Sequence, residues 1–346
     1  MSLRLGVILP YADHLPRELT LAYVQAADKL GYHAVWVAEA YGWDSITIMT
    51  QLAVNTQRIK IASGILNVFS RSPGLIAQTA ASLDHISGGR FVLGLGTSGH
   101  QVIEGFHSVK FEKGVKRMSE TIDIVRTLLR GEKLDYDGEI FQARQGLKLI
   151  THRSLVRDRV PIYLATLTPG GIRLAGEKAD GWLPVWFSPK HFETVIRPDL
   201  EEGARKAGRQ LSELSICPFV QVVVTADKKA GRDEIRPHLA LYIGGMGSRQ
   251  RNYYNQLWRR YGFEEEAARI QELYLDRRKE EAIALLTDEM IDLTCIVGSA
   301  GEVKERLGEL PKIGVSEVAM GLQVPGNDPM ETLKALEALS PEGVHA

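Results

Sequence analysis

Short apolar, β-rich runs alternate with amphipathic helical patterns along almost all 346 residues, and that alternation most constrains the fold. Residues 3–9 read as a buried strand. A helical face of Leu19, Tyr23, Ala26, Ala27 and Leu30 follows and is ended by Gly31. Strands at 34–38 and 59–63 flank a helix over 46–54, and Ser72-Pro73 reads as the cap and first residue of a helix that stops at Gly88-Gly89. Further strands are expected at 90–95, 161–165, 181–185, 214–224 and 293–297, with helices near 114–129, 171–176 and 302–310 and a hairpin around Asp137-Gly138. About eight strand–helix units in unbroken alternation predict an α/β fold, a (β/α)8 TIM barrel in one domain over 1–346. A helical insertion is expected at roughly 243–290, between strands 7 and 8.

The stretch "FVLGLGTSG" at 91–99 has the Gly-x-Gly-x-x-Gly spacing of a dinucleotide-binding turn. That reading requires a helix immediately after the glycines and an acidic residue closing a second strand, normally on the first βα unit. Here the glycines end the fourth strand and a long loop over 97–113 precedes the next helix, so the Rossmann reading fails. In a barrel the same glycines mark a strand end where backbone approaches a ligand closely.

Chemistry in such a barrel sits at the C-terminal strand ends. Those ends are Leu9-Pro-Tyr-Ala12, Ala38-Glu-Ala-Tyr41, Ser63-Gly-Ile-Leu-Asn67, Gly96-Thr-Ser-Gly-His100 and Ala165-Thr-Leu-Thr-Pro-Gly-Gly171. They hold no metal-ligand cluster and no strand-closing lysine, which argues against a metallohydrolase and against Schiff-base chemistry. Small, hydroxylic and glycine-rich ends suit a flat organic cofactor that brings its own reactivity. Thr168-Pro-Gly-Gly171, a hydroxyl and free N–H groups opening a helix, is the phosphate candidate. A net charge of −1 leaves no footprint for nucleic acid or an anionic membrane. The two distant cysteines, Cys217 and Cys295, are expected as small core residues. The apolar start is cut at Pro10, too short for a secretory h-region, so a cytoplasmic protein is expected.

Three stretches, "GYHAVWVAEAYGWD" (31–44), "SGILNVFSRSPGLIAQTAASLDHISGGRFVLGLGTSG" (63–99) and "PIYLATLTPGGIRLAGEKADGWLP" (161–184), resemble the bacterial-luciferase-like family of flavin and deazaflavin oxidoreductases. The resemblance is nearest to the branch that uses coenzyme F420, a 5-deazaflavin. It implies ring contacts from Glu39, Gly64, Ile65 and Asn67, with Thr97, Ser98 and Gly99 beside the ring or its polyol chain. It also implies Ala165, Thr166, Thr168, Gly170 and Gly171 around the phosphate, and a non-proline cis peptide at Gly64-Ile65. Relatives that oxidise sugar phosphates carry Asp-His where Glu39-Ala40 stand, and Ala40 removes that imidazole.

The expected reaction is hydride transfer between the deazaflavin C5 and a C=C, C=N, C=O or alcohol carbon of a small organic substrate. Glu39, Tyr41 and His100 are the candidate proton donors, with Trp43 as pocket wall and Arg249 and Arg251 of the insertion able to close over an anionic group. Alternatives are an FMN-dependent monooxygenase fed by a reductase, and a non-catalytic flavin- or deazaflavin-binding barrel. A homodimer is the expected assembly.

Overall fold

The computed structural model describes residues 2–10, 17–151, 156–157 and 159–341. Tyr11 and Ala12, read as part of the first strand end, lie outside the described residues. Eight parallel strand positions close a barrel. Their order is Arg4–Ile8, Ala34–Val37, Lys60–Ser63 continued by Leu66–Asn67, Phe91–Gly96, Ile162–Ala165, Gly181–Trp182, Ser215–Ile216 continued by Phe219–Val224, and Glu317–Gln323. The seventh strand closes the ring. Its first half pairs with the sixth strand (Ser215 on Gly181), its second half with the eighth (Phe219 on Ala319). Pro218, which has no N–H to give, accepts from Ala319 N at 3.0 Å where the two halves meet.

The eighth strand corrects the expectation of a strand at 293–297. Leu293 and Thr294 finish the helix Asp288–Thr294, and the strand that follows, Ile296–Gly298, pairs with the outer end of the seventh strand, outside the ring. The eighth position is Glu317–Gln323, registered on the first strand from Arg4↔Glu317. A glutamate opening a buried strand hid it from the pattern. Glu317 is buried because Arg4 (2.6 Å) and the Tyr163 hydroxyl (2.8 Å) both donate to its carboxylate at the N-terminal mouth of the barrel.

Local chemistry explains the other boundaries. Ser72 caps Pro73–Ile86 by accepting from Leu75 N at 3.2 Å, and Gly88 and Gly89 end it with positive φ (66° and 85°). The hairpin pairs Tyr136 with Ala143, and its turn folds around the buried carboxylate of Glu120, which accepts from three successive backbone N–H groups. Inside the ring, Trp36 packs between Tyr163 and Phe219 (centroids 5.6 Å from each), with Ala34, Ala62 and Ala319 making room for the indole. Cys217 lies in this inner layer and Cys295 in the outer core, both free and buried, as expected.

His33 precedes the second strand at the same mouth. Burial, then Lys60, push its pKa down to about 4, with Arg4 acting in the same direction and Glu317 against it. The folded state therefore stays neutral where the unfolded chain, near 6.5, already takes up a proton. Stability is full above pH 6.5 and is lost as pH falls from there toward 4, by on the order of 2–3 kcal/mol at most. Denaturant titrations at pH 7 and pH 5 should show this drop in the wild type and a smaller one in His33→Gln. Equal drops would exclude His33 as the cause.

Candidate active site

Strand register gathers one arc of the C-terminal rim. Val37 pairs with Ser63, Asn67 with Gly96, and Gly96 with Ala165, so the residues just past strands 2 to 5 are neighbours there. Between strands 3 and 4 the register slips. Ala62 faces Val92 but Leu66 faces Leu95, so one extra residue on the third strand makes a bulge at Ser63-Gly64-Ile65. The Gly64-Ile65 peptide within it is cis.

The bulge accounts for two glycines of the 94–99 motif. A Cβ on Gly94 would lie 1.9 Å from the Ser63 carbonyl oxygen, and the Ser63 hydroxyl bridges the N–H and C=O of Gly94 (2.8 and 2.9 Å). A Cβ on Gly96 would meet the Ile65 side chain at 3.1 Å. These two glycines accommodate the neighbouring strand, and not a ligand as the motif suggested. Gly99 has open space at its Cβ position, and Ser98 turns the chain there with φ 57°. Thr97 packs under the start of the helix Gly114–Leu129, where Gly114 leaves room for its methyl group.

Glu39 lies two residues past the second strand, buried against Arg71. The guanidinium spans both carboxylate oxygens (2.7 and 3.3 Å), and the Ser45 hydroxyl donates at 3.1 Å. Arg71 also holds Asp44 at 2.8 Å, and Asp44 caps the helix Ser45–Asn55 through Thr47 N. The hydrogen bond to Glu39, more than any other contact, raises the pKa of Arg71. Asn67 accepts from Phe69 N and Ser70 N, which shapes the loop that presents Arg71. Its carbonyl oxygen thus serves the loop. Arg71 was absent from the expected site, since no local pattern links it to a glutamate 32 positions earlier. Glu39 sits in this ion pair as an acceptor, Tyr41 is exposed, and His100 faces a cleft with Ser98 and Gly99. The three expected proton donors thus have three different sets of neighbours. Trp43 is 71% exposed.

At the fifth strand end, Thr168 caps Pro169–Lys178, and its hydroxyl accepts from Gly171 N at 3.2 Å. One of the two N–H groups expected to be free is therefore used internally. A Cβ on Gly171 would strike the Thr166 hydroxyl at 1.8 Å, whereas one on Gly170 would meet nothing within 4 Å. Trp182 donates to Thr166 O at 2.9 Å and fixes this turn. An open glycine on the first turn of a helix, with the positive end of its dipole, fits a phosphate group. The adjoining arc of Gly64, Ile65 and Gly99 fits the flat ring of the same cofactor.

The segment past the seventh-strand helix Lys228–Ala240 roofs the mouth. Arg260 of the helix Tyr253–Arg260 donates to Leu167 O at the strand-5 end (3.3 Å), and the Tyr261 hydroxyl to Trp186 O past the strand-6 end (3.2 Å). Beneath it Ser98, Gly99 and His100 face Arg251, Tyr253 and Tyr254 across a cleft. A larger depression lined by Lys190, Glu289, Asp292 and Arg306 contains none of the rim residues. Among the described residues no group of acidic, histidine or cysteine side chains could hold a metal ion, and no helix is long and apolar enough to cross a membrane.

Comparison with known proteins agrees with this fold. The profile of the luciferase-like monooxygenases matches residues 9–317. The chain is 35% identical over 328 residues (91% of this chain, 94% of the relative) to a Mycobacterium tuberculosis protein provisionally named a coenzyme F420-dependent oxidoreductase. It is 30% identical over 320 residues (91% and 92%) to a 5,10-methylenetetrahydromethanopterin reductase of Archaeoglobus fulgidus. The solved coenzyme F420-dependent tetrahydromethanopterin reductase of Methanopyrus kandleri superposes with a TM-score of 0.80 at 25% identity, covering 99% of this chain and 98% of that one.

Proposed function

The chain belongs to the luciferase-like monooxygenase family, and from that premise we propose that it is a coenzyme F420-dependent oxidoreductase acting on a small organic substrate. The observation that carries the reading is the open Gly170 cradle at a helix N-terminus, on the same rim arc as the Gly64-Ile65 bulge. The names of the Mycobacterium tuberculosis relative and of the solved Methanopyrus kandleri reductase support the deazaflavin over FMN. Bound there, F420 supplies or accepts a hydride at C5.

The protein's own residues bind, orient and shield. Gly170 and the first turn of its helix hold the phosphate, with Ala165, Thr166 and Thr168 setting the turn. Glu39, fixed by Arg71 and Ser45, offers acceptor oxygens to ring N–H groups. The roof from Met246 to Tyr274 keeps bulk water from the substrate side. His100 and Tyr41 remain for the proton that reduction of a C=C, C=N or C=O bond requires, and the cleft that His100 shares with Ser98 and Gly99 supports His100. Exchange of each in the loaded enzyme separates them by the loss of turnover. Ala40 supplies no base, which disfavours sugar-phosphate oxidation. Exposed Val54, Leu75 and Ile86 on two adjacent helices support a homodimer, testable by light scattering.

Fluorescence titration of the purified protein with oxidised F420 and with FMN tests the cofactor. Micromolar or tighter binding of F420, with FMN at least about tenfold weaker, is the expected result. Preferential FMN binding overturns it and points to a monooxygenase served by a separate reductase.

A further inference from the structure

Glu39 keeps only 9% of its side chain exposed, and Arg71 only 16%. A carboxylate so far out of water is costly unless a cation and further donors face it. Arg71 is the one cation among the described residues that pairs with Glu39, through Nη2 at 2.7 Å and Nε at 3.3 Å. The Ser45 hydroxyl, uncharged, is the other donor. No further charged group among the described residues bonds to Glu39, and the next one is Asp44, on the far side of the guanidinium.

The two carboxylates depend on Arg71 very unequally. Asp44 is half-exposed and has donors of its own in the N–H and hydroxyl of Thr47 (2.9 and 2.7 Å). Without Arg71 it stays hydrated and hydrogen-bonded. Glu39 would keep one hydroxyl and almost no water. The arginine itself is held between an Asn67 turn, which accepts from Ser70 N at 2.7 Å, and the Ser72 helix cap, so its reach from the third strand end to the second is built in.

Protonation changes what such a group can do. An ionised carboxylate accepts at both oxygens, whereas a protonated one spends an oxygen as a donor. A paired cation keeps the accepting form as pH falls, and burial without one favours the neutral form.

We propose that Arg71 is a positioning residue for the cofactor ring and, acting through Glu39, sets the pH range in which the rim accepts the ring N–H groups. The inference rests on the oxidoreductase reading in taking Glu39 as a ring contact.

F420 titrations of the full chain at about pH 6 and about pH 8.5 test it, each variant being compared with wild type at the same pH so that the cofactor's own titration cancels. Arg71→Met should lose at least about tenfold more affinity at the lower pH than at the higher. Arg71→Lys keeps the charge, and its loss should differ by no more than about threefold between the two. In a Glu39→Gln background nothing is left to titrate, and adding Arg71→Met should have the same effect at both pH values within about twofold.

Folding moves the opposite way and needs no cofactor. In Arg71→Met the buried carboxyl holds its proton more tightly folded than unfolded, where it titrates near about 4.3. That contribution is full below about pH 4.3 and is lost as pH rises. The urea midpoint of the cofactor-free variant should therefore lie further below wild type at the higher pH, and Glu39→Gln should abolish the difference. An arginine with a merely structural role would lower affinity and midpoint alike at both pH values. Arg71→Gln, which keeps a donor but no charge, replaces Arg71→Met if that variant does not fold, with the same pH trends expected. Parallel F420 profiles in wild type and the uncharged variants, or a pH-dependent loss that survives Glu39→Gln, would overturn the inference. If wild type binds no F420 at either pH, the oxidoreductase reading fails, and the midpoints alone decide whether Arg71 governs the protonation of Glu39.

Discussion

Gly94→Ala should cost at least about 3 kcal/mol of stability and abolish cofactor binding at concentrations that saturate the wild type. The added methyl would sit 1.9 Å from the Ser63 carbonyl oxygen. The obstacle is backbone, held on its other side by Gly64 N donating to Val37 O at 2.8 Å, so no side-chain rotation relieves the clash. To accept the methyl, the third strand must move away from the fourth, which breaks both hydrogen bonds between the Ser63 hydroxyl and Gly94 and shifts Gly64 and Ile65 on the rim. Gly99→Ala is the matched control. It has open space and no positive φ, so its stability should stay within about 1 kcal/mol of wild type or rise. Urea midpoints of the two variants, measured beside F420 titrations, read out both effects. Equal midpoints would show that the third strand yields to the methyl group and that the motif's first glycine is dispensable.

Gly94 and Gly96 show how far the sequence could be read. Their position at a strand end and the barrel around them follow from alternation alone, because helix caps such as Ser72-Pro73 and Thr168-Pro169 are local chemistry within four residues. Their reason for being glycine is not local. It comes from one extra residue on the adjacent strand, about thirty positions earlier, and a bulge leaves no periodic trace in either strand. The ion pair of Arg71 with Glu39 is hidden in the same way, as a contact between two strand ends that each look like ordinary loop. Glu317 misled in the opposite sense. A charge in an apolar run reads as a strand boundary, and only its distant partners Arg4 and Tyr163 make it a buried strand residue.

Gly170→Asp should separate binding from folding most sharply, lowering F420 affinity by roughly a hundredfold or more while leaving the fold as stable as wild type. Nothing lies within 4 Å of the position a Cβ would take, so the side chain enters open space without displacing protein atoms. An aspartate in the first turn also interacts favourably with the positive end of the helix Pro169–Lys178, which contributes up to about 1 kcal/mol in favour of folding. The same field that stabilises the aspartate is the one a phosphate uses. The carboxylate occupies the cradle and repels a second anion, and the charge-assisted hydrogen bond lost at the Gly170 N–H is by itself worth about 1.5–3 kcal/mol. A phosphate-free deazaflavin, which never reaches the cradle, should bind the variant and the wild type within about threefold of each other. Gly171→Ala, one residue on, should instead lose stability, because its methyl meets the Thr166 hydroxyl at 1.8 Å and forces apart the turn that Thr168 caps. If Gly170→Asp kept full F420 affinity, the phosphate would have to bind elsewhere on the rim. Because FMN carries a phosphate of its own, the same variant locates the anion site whichever of the two cofactors the protein prefers.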